Sequence, residues 1–172
     1  MALIMLLDAI ADFLDETFKD TTMLRVKPED DDEQAEVAGI TVFQQRIPNP
    51  EDPTMHIPYI LLQMMEGADE RDDDGQEHST ATVRMIITIY EPDPVEGSKA
   101  ISNLISRIRE ELEKKGNVGG KNGLQYQLLR PFKFEFDVDN TLPYHLAEIV
   151  SLWSVPSVRS PNYDFEDWND WS

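Results

Sequence analysis

The sequence predicts an α+β fold: a single, mostly antiparallel β-sheet with a long hairpin, packed against two amphipathic helices, with acidic disordered loops and an acidic C-terminal tail. Three observations lead there. Two stretches repeat apolar residues every three or four positions, as a helix with one buried stripe does. Several others alternate apolar and polar residues, the pattern of half-buried strands. Between and after them run carboxylates that offer nothing to bury. Residues 1–158 read as one domain and residues 159–172 as a tail outside it.

The elements follow in order. Leu3, Leu6, Leu7, Ile10, Phe13 and Leu14 make one face of a first helix, with Asp8, Asp12, Asp15, Glu16 and Lys19 on the other. Asp20-Thr21-Thr22 ends it, and Leu24-Arg25-Val26 starts a short strand. Pro28 to Glu36 is a first acidic run, read as a mobile loop. Val37 to Phe43 reads as one strand, while four prolines between Ile47 and Pro58 exclude regular structure there. Tyr59 to Glu66 and Thr80 to Tyr90 form the two arms of a long hairpin, joined by an acidic loop from Gly67 to Ser79.

Asp93-Pro94-Val95-Glu96 has the form of a helix start: a capping aspartate, proline at the first helical position, and glutamate placed for a capping box. Ala100, Ile101, Leu104, Ile105, Ile108 and Leu112 form the stripe of this second helix. Lys114-Lys115-Gly116 closes it, cations at the negative end of the dipole and glycine beyond. A glycine-rich turn, Asn117 to Gly123, leads to a strand from Leu124 to Leu129 that Pro131 bends. Phe132, Phe134, Phe136 and Val138 then alternate with Lys133, Glu135 and Asp137. Periodicity fits Tyr144 to Val155 to a final strand or a short helix, and the flanking Pro143 and Pro156, with the Val and Trp content, favour the strand.

Composition excludes several classes. The 172 residues carry 34 acidic against 15 basic side chains, a formal charge of −19, which disfavours any long contact with phosphate backbones. There is no cysteine, so disulfides, thiolate metal sites and cysteine nucleophiles are out. No apolar run approaches the ~20 residues that span a bilayer, and no membrane partner is expected.

Chemical motifs fail on spacing. Gly116 to Gly123 lacks the glycine and the Ser/Thr that a phosphate loop needs, holding Lys115 and Asn122 there instead, and it follows a helix rather than opening one. Glu70, Asp72, Asp74 and Gly75 imitate half of a calcium loop whose twelfth position is Ala81 rather than glutamate. His56, His78 and His145 stand in no catalytic pattern, and Met64, Met65 and Met85 read as core filler or interface. No catalytic residue, metal site or cofactor is expected, and the chain is not expected to be an enzyme. What stands out is acid in the hairpin loop, at Asp69, Glu70, Asp72, Asp73, Asp74 and Glu77, and aromatics spaced among acids in the tail. Tyr163, Phe165, Trp168 and Trp171 suit a peptide that docks by aromatic anchors into a basic partner or its own oligomer.

Four segments carry a resemblance: Ile57–Gln63 (IPYILLQ), Val83–Tyr90 (VRMIITIY), Gly97 leading into Leu104–Leu112 (LISRIREEL), and Pro143-Tyr144 with Leu152–Pro156 (LWSVP). Taken with the order of helix, strand, hairpin, capped helix and closing strands, the chain resembles the tail terminator (tail completion) proteins of long-tailed bacteriophages and phage-tail-like particles. The resemblance spans most of residues 1–156 and none of the tail. It implies a structural virion protein that forms a homo-oligomeric ring, hexameric in that family, on the last ring of tail-tube protein. Such a ring ends tube polymerisation, joins the tail to a neck or head-completion protein, and lets genomic DNA pass without specific binding. It also implies assembly in the host cytoplasm and a final place in the virion tail. The acidic hairpin loop is then expected to face the channel and repel DNA. Two alternatives stay open: another head–tail connector or neck protein, and an acidic inhibitor that mimics nucleic acid.

Overall fold

A computed structural model describes residues 2–26, 36–121, 123–138 and 141–157. The fold is α+β: two helices, a curled, mostly antiparallel six-stranded sheet, and a small two-stranded sheet. Helix α1 (Ala2–Phe18) precedes β1 (Thr22–Leu24), β2 (Val37–Gly39), β3 (Thr41–Gln44), β4 (Tyr59–Arg71) and β5 (Glu77–Tyr90). Helix α2 (Pro94–Lys115), β6 (Asn117–Gly119), β7 (Gln125–Phe136) and β8 (Tyr144–Val155) follow. Strands β1 and β2 pair with each other. The main sheet runs β3-β4-β5-β8-β7-β6, parallel only between β3 and β4.

Strand β5 lies near the centre, and its inward row decides where the core sits. Ala81, Val83, Met85, Ile87 and Ile89 are all essentially inaccessible. Helix α1 sets Leu6, Leu7, Ile10 and Leu14 against this face, and α2 adds Ile101, Leu104, Ile105, Ile108 and Leu112. Each such side chain contributes about 1.5–3 kcal/mol through burial. From β8 come Ala147, Ile149 and Trp153. The Trp153 indole N–H donates to Ser151 Oγ at 2.9 Å, and that hydroxyl donates to the Val83 carbonyl at 3.1 Å, so the polar atoms buried with the ring are paired.

The termini of α2 obey their signals, with one exception. Asp93 accepts from the Val95 and Glu96 amides at 2.9 and 3.0 Å, and Gly116 closes the helix at φ +67°. The capping box is not reciprocal: the Asp93 amide donates to Glu91 Oε1, while Glu96 pairs with Lys99. Arg107 leaves the wet face to serve α1. Its guanidinium donates to the Thr17 carbonyl at 2.6 Å and to Thr21 Oγ1 at 3.0 Å, placing a cation at the negative end of the first helix.

Several expected boundaries change. The acidic segment Gly67 to Ser79 is not a loop, because β4 and β5 continue through it and leave a five-residue turn, Asp72–Gln76. Solvated carboxylates cost a projecting hairpin little, and its backbone groups are paired whatever the side chains carry. Val37 to Phe43 is two strands, because the chain leaves the small sheet at Ile40 to enter the large one. The proline-rich connection contains a 3-10 turn, Pro53–His56, with proline at its start. The strands expected on either side of Pro131 are one strand with an irregularity between Leu129 and Lys133, and Asn117–Gly119 of the glycine-rich turn is strand β6.

Gly97 packs α2 against β8. A Cβ placed there would lie 1.9 Å from His145 Nε2, and that nitrogen bonds the Glu91 carbonyl at 3.1 Å. The imidazole is wedged between the first turn of α2 and the chain that enters it, so only glycine admits it. Gly97→Ala is expected to destabilise the protein by about 1–3 kcal/mol, the usual cost of overpacking. The double change Gly97→Ala/His145→Ala should recover part of that loss, as denaturant unfolding will show.

Candidate functional site

The hairpin tip is built by its turn. Gly75 stands at φ +80°, the left-handed position that follows a tight turn within this five-residue connection. The Gly75 amide donates to the Asp72 carbonyl at 3.0 Å, and the Asp72 amide donates to the Gln76 carbonyl at 2.9 Å. The Asp72 carboxylate accepts from the Gln76 amide at 2.8 Å and meets His78 Nε2 at 3.1 Å. The bond to His78, then the one from the Gln76 amide, holds the Asp72 carboxyl below its ordinary value of 3.8. Asp69 accepts from Ser79 Oγ, and Glu77 pairs with Arg71 across the strands.

Every carboxylate expected at this site, Asp69, Glu70, Asp72, Asp73, Asp74 and Glu77, therefore lies on the projecting end of one hairpin. Glu70, Asp73 and Asp74 make no ion pair among the described residues, and neither does Glu66, which reading the sequence left out. Glu66 follows a bulge at which Met65 is the extra residue, half exposed at 51%. On its outer side β4 pairs with β3 only from Tyr59 to Leu62. From Gln63 to Arg71 that edge has no strand beside it among the described residues.

Both helices lie on one face of the sheet. The other face carries no helix, and its β8 row, Leu146, Glu148, Val150 and Leu152, is half buried. Beside it a shallow cleft of about 460 Å³ lies between Ile86, Phe136, Val138 and Leu146. Glu135 and Glu148 stand directly opposite each other there, an unfavourable like-charge pair, with Arg84 Nη1 at 4.0 Å from Glu148. Arg84 is held by two bonds to Gln63 Oε1, at 3.1 and 2.6 Å.

The opposite flank has the opposite charge. Arg107 to Lys133 holds seven of the 15 basic residues and only three acidic ones. These cations sit on the end of α2, the β6–β7 turn and the outer edge of β7, which pairs with β6 only over Gln125–Gln127. Arg109 lies over the Phe134 ring at 4.6 Å, Arg130 pairs with Glu113, and Lys121 reaches Asp12 at 4.0 Å. Lys133 has no ion pair among the described residues.

Tyr163, Phe165, Trp168 and Trp171 lie outside the described residues, as does most of the first acidic run. Among the described residues no group of three or more histidine or acidic side chains is placed to hold a metal ion. No helix of the described residues is long and apolar enough to cross a membrane.

No protein-family profile matches this chain, and no curated protein does. One solved structure shares 14% sequence identity with it, covering 70% of this chain and 82% of its own length at a TM-score of 0.43. A likeness that weak carries no argument about function.

The lowered pKa of Asp72 ties the stability of the turn to pH. Because the folded turn favours ionised Asp72, its contribution is present at neutral pH and lost as pH falls through the depressed value. His78→Ala is expected to bring the Asp72 carboxyl back toward 3.8, read from its carboxyl resonance in an NMR titration.

Proposed function

We propose that this chain is a structural subunit of the tail-terminator type. It forms a ring, hexameric in the family it resembles, that caps a phage tail tube, stops its polymerisation and offers a surface to the neck. Its partners are further copies of itself, the tail-tube protein and a neck or head-completion protein, and its place is the virion tail after assembly in the host cytoplasm. It binds and positions proteins and catalyses nothing.

The observation that carries the reading is the succession of elements about a one-sided sheet. A leading helix, a long hairpin, a capped helix and two closing strands follow one another as in the family resembled, and the helices cover one face only. The acidic tip belongs to the same reading. Several copies of Asp72, Asp73 and Asp74 around a channel repel the phosphate backbone and let DNA slide without sticking.

One observation favours a second reading. Glu66, Asp69, Glu70 and Glu77 stand on ordered strands, as they would in a protein that mimics nucleic acid and occupies a basic enzyme. A mimic competes with duplex DNA for that enzyme. A terminator does not.

Electron microscopy of particles made without this protein separates the readings. Headless tails of abnormal length are expected, whereas tails of normal length would overturn the terminator assignment, and normal tails with heads unjoined would favour a connector. In the intact particle, Asp72→Asn/Asp73→Asn/Asp74→Asn is expected to leave assembly unchanged and to slow DNA ejection. Collapse of assembly would show that the tip is an interface and not a channel lining.

A further inference from the structure

We infer that copies of this chain associate head to tail, the acidic outer edge of the β4–β5 hairpin of one copy docking against the basic β6–β7 flank of the next. The occupant of each edge is a second copy of the chain. The inference draws on the proposed function only for its ring geometry, and self-association by these edges stands or falls apart from any phage.

The register of the sheet supplies the argument. Glu66 pairs with Thr82, Thr82 with Leu152, and Leu152 with Leu129, so Glu66 stands level with Leu129 and its neighbour Arg130. Glu70 pairs with His78, one step beyond the Ser79–Val155 pair, and is thus level with Gln125 at the start of β7. The turn just before Gln125 carries Lys121. We place the ring axis along the strands, so that joining the two edges brings Glu66 to Arg130 and Glu70 to Lys121, and these cations exchange Glu113 and Asp12 for carboxylates of the next copy.

The same register puts the two irregularities at one height. Met64 pairs with Val83 and Val83 with Ser151, and Ser151 lies between the partners of Leu129 and Lys133. The extra residue Met65 therefore faces the stretch where Arg130, Pro131 and Phe132 interrupt β7. An exposed thioether meets an interrupted edge, flanked by opposite charges. The contact is side chain to side chain, since Pro131 and both irregularities break any continuous ladder.

The net charge of −19 opposes association of identical chains, but it acts over distance. At 0.15 M salt the screening length is about 8 Å, which weakens repulsion between whole subunits more than attraction between touching side chains.

A charge exchange tests the contact. Glu66→Lys/Glu70→Lys is one variant, and Lys121→Glu/Arg130→Glu the other. In sedimentation velocity at 0.15 M salt, the unaltered chain is expected to associate. Each variant alone should lose the oligomer and still unfold in one cooperative transition, with a small downward shift for Lys121→Glu/Arg130→Glu, which also gives up the pairs with Asp12 and Glu113. Mixed in equal amounts, the two should associate again, because each offers the edge the other lacks. A monomeric unaltered chain, oligomers that persist in either variant, or a mixture that stays monomeric would each overturn the inference. Tails of normal length in particles without the protein would sink the tail-terminator reading and leave this result untouched.

Discussion

Burial of the inward row of β5 is the constraint on which the molecule rests. Ala81, Val83, Met85, Ile87 and Ile89 lie between two antiparallel neighbours and beneath both helices. Its neighbours are placed by what they do for that row: β4 and β8 satisfy its backbone, α1 and α2 cover its side chains, and Trp153 fills the gap toward β7. The Trp153–Ser151–Val83 chain makes this fit specific. A buried indole N–H left unpaired costs about 1–3 kcal/mol, so the serine is as necessary to the packing as the ring it serves.

Two helices cover one face of a six-stranded sheet, while the other is covered only at its β3–β4 end, where Ile57, Tyr59 and Leu61 pack with Phe43, Ile47 and Ile86. That follows from the chain's order, since the connection from β4 to β5 is a tight turn with no crossover helix to lay on the second face. The rest of that face is neither dry nor fully polar. Leu146, Val150 and Leu152 are half buried by their neighbours, while Arg84, Glu135 and Glu148 keep water close. A surface of this kind suits contact with other proteins better than chemistry on a small substrate.

Much of the fold was legible because its signals are local. Asp93, Pro94 and Gly116 mark the ends of α2 to the residue, and the alternation in β5 declares which side chains go inward. The spacing in β8 fits a helix as well, and only its flanking prolines and β-branched content point to a strand. The extent of the hairpin was not legible, because its last third carries charge on both arms and its stability comes from pairing across the strands. The turn signal was nonetheless present: Asp74-Gly75 supplies the left-handed residue that a tight loop requires. Reading acid as disorder let charge outweigh that signal. The division at Ile40 was hidden for another reason, since which of two sheets a short strand joins depends on partners far along the chain.

The same distinction governs the surfaces. The carboxylates of the tip were visible as composition, but Glu66 was not, and the significance of Arg130 and Lys121 lay beyond any local pattern. Their relation to the hairpin exists only through the register of β4, β5, β8 and β7 taken together. That register also explains how an open sheet, two of whose edges lack a partner strand among the described residues, avoids indiscriminate pairing. Each edge is interrupted at the same height and carries charge of one prevailing sign, so the wrong edges repel while Met65, Pro131 and the irregularities deny a stray strand its ladder. A chain strongly negative as a whole gathers seven of its 15 cations on one flank. That asymmetry is what a closed, directional contact between identical subunits requires.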